Sequence, residues 1–317
     1  MAAVTTMTAL RAHRRGGPEV LNVEQAPVPV PASGQVLVAV DAAAITFDEL
    51  TWDETWSRDG TDRTPIIPSH EVSGVVAAVA PDVTDFTVGD EVYGLIEFDL
   101  DGAAADYVAV PAADLAARPA MLSHVESAAL PLAGLTAWQA LVDHAEVQPG
   151  ERVLVHGGAG GVGALTVQVA HALGAEVTTT VRGEVAELVR SFGADHVVDT
   201  RTEVFDAPGA HYDVVIDTVG GDTLDRSFGV LRPGGRLVTL SAPPPAGKAE
   251  QYGVAATFFI VTPDRAQLTH LARLVADFQL RVAISATFPL ERGREAFESG
   301  RKPHRKPGKT VLVVRDK

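Results

Sequence analysis

The chain has 317 residues, 46% hydrophobic and 21% charged, which suits a globular protein with a large core and room for two domains. A formal charge of −15 argues against a nucleic-acid surface, because polyanions need basic patches, and the lack of any cysteine excludes disulfides and thiolate metal sites. The N-terminus has no apolar leader-like run and no stretch approaches 18 apolar residues, so neither export nor a membrane span is expected and a cytoplasmic location is.

Up to about residue 122, short β-like runs (35–40, 71–80, 90–96 and 107–110) alternate with Pro, Gly and Asp punctuation. They read as a mostly antiparallel β domain with no long helix. From Ser123 the period changes. Ser123-His-Val-Glu126 is a capping-box pattern that opens a helix through residue 130, and a second helix is expected over 135–145. Predicted strands 152–156, 176–181, 196–199, 213–217 and 236–241 then alternate with helices 162–173, 184–192 and 223–231, with a Pro233-Gly-Gly turn before the last strand. That alternation means an α/β fold with a parallel, doubly wound sheet. After a helix over 264–278 the tail returns to β character at 281–287 and 310–314. The predicted division is a β domain over 1–122, a nucleotide-binding domain over 123–270, and a return to the first domain over 271–317. The basic stretch 301–309 reads as a solvated loop.

Val153-Leu-Val-His-Gly-Gly-Ala-Gly-Gly-Val-Gly163 carries the most chemistry, with five glycines in its last seven residues between a strand and a helix. Glycines let the backbone turn tightly and approach a diphosphate, and the helix adds unpaired N–H groups at its positive end. In this strand–turn–helix context the motif points to a dinucleotide rather than to a merely tight turn. The next strand ends Thr178-Thr-Thr-Val-Arg-Gly183, without the acid that commonly binds a ribose 2′-hydroxyl. Arg182 could instead hold a 2′-phosphate, with hydroxyls from Thr179 and Thr180 beside it. NADPH is therefore the expected cofactor; the competing reading leaves Arg182 as an ordinary surface residue.

Several segments carry a family resemblance over nearly the whole chain: Pro65-Ile-Ile-Pro-Ser-His-Glu-Val-Ser-Gly-Val-Val76, Val88-Gly-Asp-Glu-Val-Tyr-Gly94, Ala128-Ala-Leu-Pro-Leu-Ala-Gly-Leu-Thr-Ala-Trp-Gln-Ala140, Arg232-Pro-Gly-Gly-Arg236 and Gly308-Lys-Thr-Val-Leu-Val-Val314. With the glycine turn, they resemble the medium-chain dehydrogenase/reductase superfamily, in its zinc-free quinone oxidoreductase (zeta-crystallin-like) branch. The resemblance implies a GroES-like β-rich catalytic domain, a Rossmann domain, a cleft holding NAD(P)H, and metal-free hydride transfer. It also implies a homodimer joined at the Rossmann sheet edge, with 258–261 as the candidate edge strand.

By resemblance, Gly158, Gly160, Gly161, Val162 and Gly163 hold the pyrophosphate, and Thr180 and Arg182 the adenine ribose. Thr218 and Val219, within Asp217-Thr-Val-Gly220, lie along the ribose and nicotinamide, although Asp217 also reads as a helix cap. Phe258, Phe259 and Ile260 meet the carboxamide through the main chain, the Phe pair reading equally well as core. Thr136 lies near the nicotinamide, and Lys309 is a further cofactor contact.

The catalytic candidates are Thr46, Glu49 and Thr136. Thr46, Trp52 and His70 are the candidate substrate pocket, with Trp52 and Trp56 either an aromatic wall or two partly buried residues. Thr46 and Glu49 stand where relatives commonly carry Asn and Asp. His70 occupies the position of a zinc ligand in the zinc-dependent branch, but one histidine without partners is no metal site, and no metal is expected. The expected activity is NADPH-dependent reduction of a quinone or α,β-unsaturated carbonyl. Alternatives are a tailoring enoyl or polyketide-type reductase and a non-catalytic, crystallin-like NADPH binder.

Overall fold

The computed structural model describes residues 5–277, 279–301 and 306–315. An antiparallel pair, β1 (Thr6–Ala12) and β2 (Leu21–Pro27), precedes the long strand β3 (Gln35–Ile45). A single helical turn, α1 (Asp53–Trp56), leads into the small pair β4 (Ser57–Arg58) and β5 (Thr61–Asp62). Strands β6 (Glu71–Val79), β7 (Glu91–Leu95), β8 (Tyr107–Pro111) and β9 (Leu115–Ala117) follow, then helix α2 (His124–Ala128).

Helix α3 (Pro131–Trp138) continues as a π-helical stretch, Gln139–His144. Next come β10 (Arg152–Val155), α4 (Gly161–Ala172), β11 (Glu176–Val181), α5 (Ala186–Ser191) and β12 (His196–Asp199). They are followed by β13 (Tyr212–Asp217), α6 (Gly221–Ser227), β14 (Leu231–Thr239), α7 (Lys248–Tyr252) and β15 (Ala255–Phe258). Helix α8 (Arg265–Ala276), β16 (Ile284–Pro289), α9 (Gly293–Glu298) and β17 (Lys309–Val313) complete the chain.

The chain forms two compact units, Met1–Leu132 with Thr262–Ala276 and Val282–Lys317, and Ala133–Val261 with Asp277–Arg281. Both joins differ from the expected 122/123 and 270/271. Ser123 does cap α2 in a capping box with Glu126, but Ala128 and Ala129 pack on Ala42, Ala44 and Val311 of the first unit. Helix α8 is held there too, by the Tyr93 hydroxyl donating to the Leu268 carbonyl at 2.6 Å.

In the first unit the main sheet runs β16-β17-β3-β6-β7-β9, with β8 also paired to β3. β3 is buried from Val36 onward. Its register on β6 slips between Val40 and Ala42, and this bulge changes which side chains share a face. Val36, Val38 and Val40 face the same core as Ala43 and Ile45, while Ala42 and Ala44 turn to the core under α2.

The second unit is a six-stranded parallel sheet in the order β12-β11-β10-β13-β14-β15, the doubly wound arrangement expected. Leu154, Val215, Leu224, Phe228 and Leu237 form part of its core. The expected turn at Pro233-Gly-Gly is instead an irregularity within continuous β14: the pairing with β13 shifts, and Gly234, at φ +76°, donates its N–H to the Gly253 carbonyl at 2.8 Å. The edge strand is 255–258 rather than 258–261, since Phe258 is the last residue to pair, with Thr239. Phe278, the expected end of α8, and residues 302–305 of the basic stretch lie outside the described residues. Among the described residues no helix is long and apolar enough to cross a membrane.

Candidate active site

In the second unit the glycine turn joins β10 to α4. Gly157 has φ +76°, a Cβ on Gly158 would stand 2.0 Å from the Thr179 hydroxyl oxygen, and one on Gly163 would stand 2.2 Å from the Gly157 carbonyl oxygen. Glycine is thus what allows α4 to settle onto the turn. The amide ledger corrects part of the expected phosphate set. Gly158 donates to the Thr180 carbonyl at 3.0 Å and Gly160 to the Gly157 carbonyl at 2.9 Å, so neither N–H points to a ligand. The first intrahelical bond belongs to Ala164, on Gly160 at 3.0 Å, which leaves Gly161, Val162 and Gly163 without an acceptor in the helix.

The threonines of β11 also differ from expectation. The Thr179 hydroxyl donates to the Val155 carbonyl at 2.8 Å, and the Thr180 oxygen accepts the Gly157 N–H at 3.2 Å and bonds His156 Nδ1 at 3.1 Å. Both are buried pegs beneath the turn, not donors at the strand tip. His156, which the sequence did not single out as a site residue, spans from Thr180 to the Ser227 hydroxyl at 3.0 Å. Burial, with the Arg226 guanidinium nearby, pushes its pKa down to about 4, so it is neutral near pH 7.

Arg182 follows the last residue of β11, is exposed, and has no side-chain partner among the described residues. The acid nearest that tip in register is Asp199, paired across from Val181 on β12. It is already engaged by Arg201 (Nη2 to Oδ2 at 2.7 Å, Nε to Oδ1 at 3.2 Å), whose bonds hold its pKa down to about 2.

At the end of β13, buried Asp217 accepts the N–H groups of Val219 and Gly220, each at 3.1 Å, and the Thr239 hydroxyl at 3.2 Å. It fixes the 218–220 backbone and is not the N-cap of α6, which is Gly220. The Thr218 hydroxyl donates to the His156 carbonyl at 2.8 Å, and Val219, 55% exposed, flanks the glycine turn. Phe258 and Phe259 are partly exposed rather than core, Ile260 is exposed, and the Phe259 ring lies 4.3 Å from that of His144. Thr136 is buried in α3. The turn, Arg182, Thr218, Val219 and Phe258 thus stand at carboxyl ends of parallel strands, where open α/β sheets bind ligands.

The first unit holds a second cluster. Thr46 follows the last residue of β3, and Lys309 Nζ donates to its hydroxyl oxygen at 3.3 Å. Lys309 is also ion-paired to buried Glu71, whose other oxygen accepts the Leu132 N–H at 3.0 Å. Burial raises the Glu71 pKa, and Lys309 opposes that shift. Lys309, expected as a cofactor contact, is therefore bonded within the Thr46 cluster. Glu71 was missed as a site residue; an acid heading an otherwise apolar run was the available signal.

Glu49 and His70 are both buried, and one Glu49 oxygen accepts the Ser69 N–H at 3.1 Å and bonds His70 Nδ1 at 2.9 Å. Ser69 sits at φ +74°, a strained setting that this contact helps hold. Glu49 Oε1, His70 Nε2 and Ser69 Oγ are buried without a hydrogen-bond partner among the described residues. Phe98, for which the sequence offered no signal, stands edge-on between Trp52 (4.9 Å) and His70 (5.4 Å). Trp56 is core, its Nε1 donating to the Leu50 carbonyl at 3.0 Å, so the expected pair of tryptophans reduces to Trp52. Among the described residues no group of three or more His, Cys, Asp or Glu is arranged to hold a metal ion.

Residues 32–120 match the family model of the alcohol dehydrogenase GroES-like domain, and residues 192–312 that of zinc-binding dehydrogenase. A protein of Arthroderma benhamiae named "Probable zinc-binding oxidoreductase, mitochondrial" is 32% identical over 316 residues, covering 93% of this chain and 93% of its own. The chain belongs to the medium-chain dehydrogenase/reductase superfamily. Another relative, the NADPH-dependent alkenal/one oxidoreductase, chloroplastic, of Arabidopsis thaliana, is 34% identical, covering 89% of this chain and 73% of its own. Polyketide synthase GfsB of Streptomyces halstedii is 34% identical over 292 residues, 89% of this chain but only 5% of the synthase. In three dimensions the quinone oxidoreductase of Coxiella burnetii superposes with a TM-score of 0.90 at 31% identity, over 98% of this chain and all of the other. The protein is thus an oxidoreductase of this superfamily, whose cofactor is a nicotinamide dinucleotide. The glycine cradle and the three open amides of α4 fit that cofactor's diphosphate.

Proposed function

We propose that the protein is an NADPH-dependent reductase of α,β-unsaturated carbonyls or quinones. The observation that carries the reaction is the Thr46 hydroxyl backed by the Lys309 cation, since a hydrogen-bond donor suits an acceptor oxygen that gains negative charge. When bound, the reduced nicotinamide supplies the hydride. Gly161, Val162 and Gly163 bind the diphosphate through N–H groups, and Arg182 takes the 2′-phosphate with its planar fork. Asp199, neutralised by Arg201, adds little repulsion there. Thr218, Val219, Thr136 and the main chain of Phe258, Phe259 and Ile260 complete the cofactor surface. Trp52 and Phe98 give a flat acceptor an apolar wall, and Glu49 orients His70 beside it.

The names of the Arabidopsis and Coxiella relatives support the acceptor class. The polyketide synthase relative supports a second reading, reduction of an enoyl thioester. The test is NADPH oxidation, followed by absorbance, with a panel of enones, quinones and enoyl thioesters. Turnover of thioesters alone selects the second reading, and tight NADPH binding without turnover selects a non-catalytic role. Arg182→Ala should weaken NADPH binding about tenfold or more and leave NADH unchanged; equal weakening of both refutes the assignment. As part of the same proposal, two copies pair through the outer edge of β15, and the enzyme works in the cytoplasm without nucleic-acid or membrane partners.

A further inference from the structure

The geometry points to the Lys309–Glu71 pair as a positioning device that commits the Thr46 hydroxyl proton to the acceptor oxygen. This inference rests on the reading above, in which the first unit activates a carbonyl or quinone acceptor.

The sheet order explains why three residues so far apart in sequence meet. β3 lies between β17 and β6, with Ile45 paired to Thr310 on one side and Ala44 to Glu71 on the other. Lys309 and Glu71 therefore reach each other around the end of β3, where Thr46 emerges. The pair is deeply buried, with Glu71 1% and Lys309 8% exposed. Glu71 is anchored twice, by the ammonium and by the Leu132 N–H. Burying an ion pair brings little net stability, because desolvation offsets most of the attraction. Its worth here lies in direction.

An ammonium has three donors and no acceptor, so the 3.3 Å contact has one polarity: Lys309 donates and the Thr46 oxygen accepts. A hydroxyl that accepts from a cation keeps its own proton to donate, and the neighbouring charge makes it a stronger donor. The Thr46 side chain is partly exposed, and its hydroxyl has no acceptor among the described residues. It is a polarised donor left open toward a ligand.

The step balances without a proton change at either residue. The cofactor, when bound, would supply hydride to the acceptor's β-carbon; the alkene π pair would then become the enolate C=C bond and the carbonyl π pair would move onto oxygen. Thr46 hydrogen-bonds the resulting enolate, and water delivers the proton to the α-carbon. Thr46 touches the reacting group and is the catalytic residue; Lys309 and Glu71 are positioning residues.

The test measures kcat and KM of the full chain with NADPH and methyl vinyl ketone for Thr46→Ser, Thr46→Val, Lys309→Met and the Thr46→Val/Lys309→Met double variant. Glu71→Gln/Lys309→Met is included so that no unpaired buried charge confounds folding, and thermal melts and NADPH titrations accompany each variant. Thr46→Val should lower kcat about 100-fold, while Thr46→Ser stays within a few-fold of wild type. Lys309→Met should lower kcat about tenfold when Thr46 is present and cause no further loss in the Thr46→Val background. The paired Glu71 variant should reproduce Lys309→Met at an unchanged melting temperature. NADPH affinity should move less than about twofold throughout, far below the kcat losses. Losses that multiply, or a Lys309→Met effect confined to NADPH affinity, overturn this inference while leaving the proposed activity intact. A wild type that reduces no enone or quinone overturns both.

Discussion

Gly158 and Gly163 show how single residues shape the proposed cofactor site, because each stands where a β-carbon would collide with a neighbour. At Gly163 that neighbour is the Gly157 carbonyl, which cannot rotate away as a side chain could. Gly163→Ala should therefore cost about 1–3 kcal/mol of stability and weaken NADPH binding more than about tenfold. Thermal denaturation and a fluorescence titration would check both, and a variant with native affinity would mean that α4 can shift without loss. The motif was legible because everything that makes it work lies within a few residues. The hydroxyls of Thr179 and Thr180 were misjudged for the opposite reason. Their partners Val155, His156 and Gly157 come from the end of β10 and the turn after it, and sequence gives no view of which pegs a parallel pairing consumes. The Thr46–Lys309 contact, 263 positions apart, lay still further out of reach.

Among elements, α2 was the easiest to foresee and is simple to perturb. Glu126 donates its N–H to the Ser123 hydroxyl at 3.2 Å, and the Glu126 carboxylate accepts the Ser123 N–H at 2.9 Å. Ser123→Ala should lower stability by about 1 kcal/mol, read from urea unfolding, with little change in kcat. A loss above about 3 kcal/mol would mean that Ser123 does more than cap. Such i,i+3 chemistry is written locally, as is the alternation that predicted the parallel sheet. β14 and β15 were harder. Pro233-Gly-Gly235 carries strong turn residues, yet tertiary pairing keeps the strand continuous and absorbs them as an irregularity. β1 and β2, which went unpredicted, intersperse polar and charged residues (Thr, Arg, Asn, Glu and Gln) among apolar ones, so their extended form owes more to mutual pairing than to a hydrophobic run.

For the whole molecule, His156 links folding to pH. Its folded pKa of about 4 lies below the ordinary value of 6.5, so below pH 6.5 the unfolded chain takes up a proton that the folded chain refuses. This contribution is fully present above about pH 6.5 and is lost as pH falls toward about 4, amounting to about 3 kcal/mol at most. Urea unfolding of the full chain at neutral and acidic pH should show that decline, and His156→Gln should show less of it. An equal decline in both proteins would assign the acid sensitivity to other groups.

The placement of β17 has a consequence for the order in which a newly made molecule becomes competent. The second unit has all its residues, 133–261 and 277–281, once residue 281 has been synthesised, whereas the first unit still waits for its last strand. Lys309 opens that strand, and with it comes the charge that bonds the Thr46 hydroxyl. The residues of the proposed cofactor surface are thus synthesised before the last of those of the acceptor site. On the reading proposed here, reactivity waits for residues 309–313, when β17 inserts between β16 and β3.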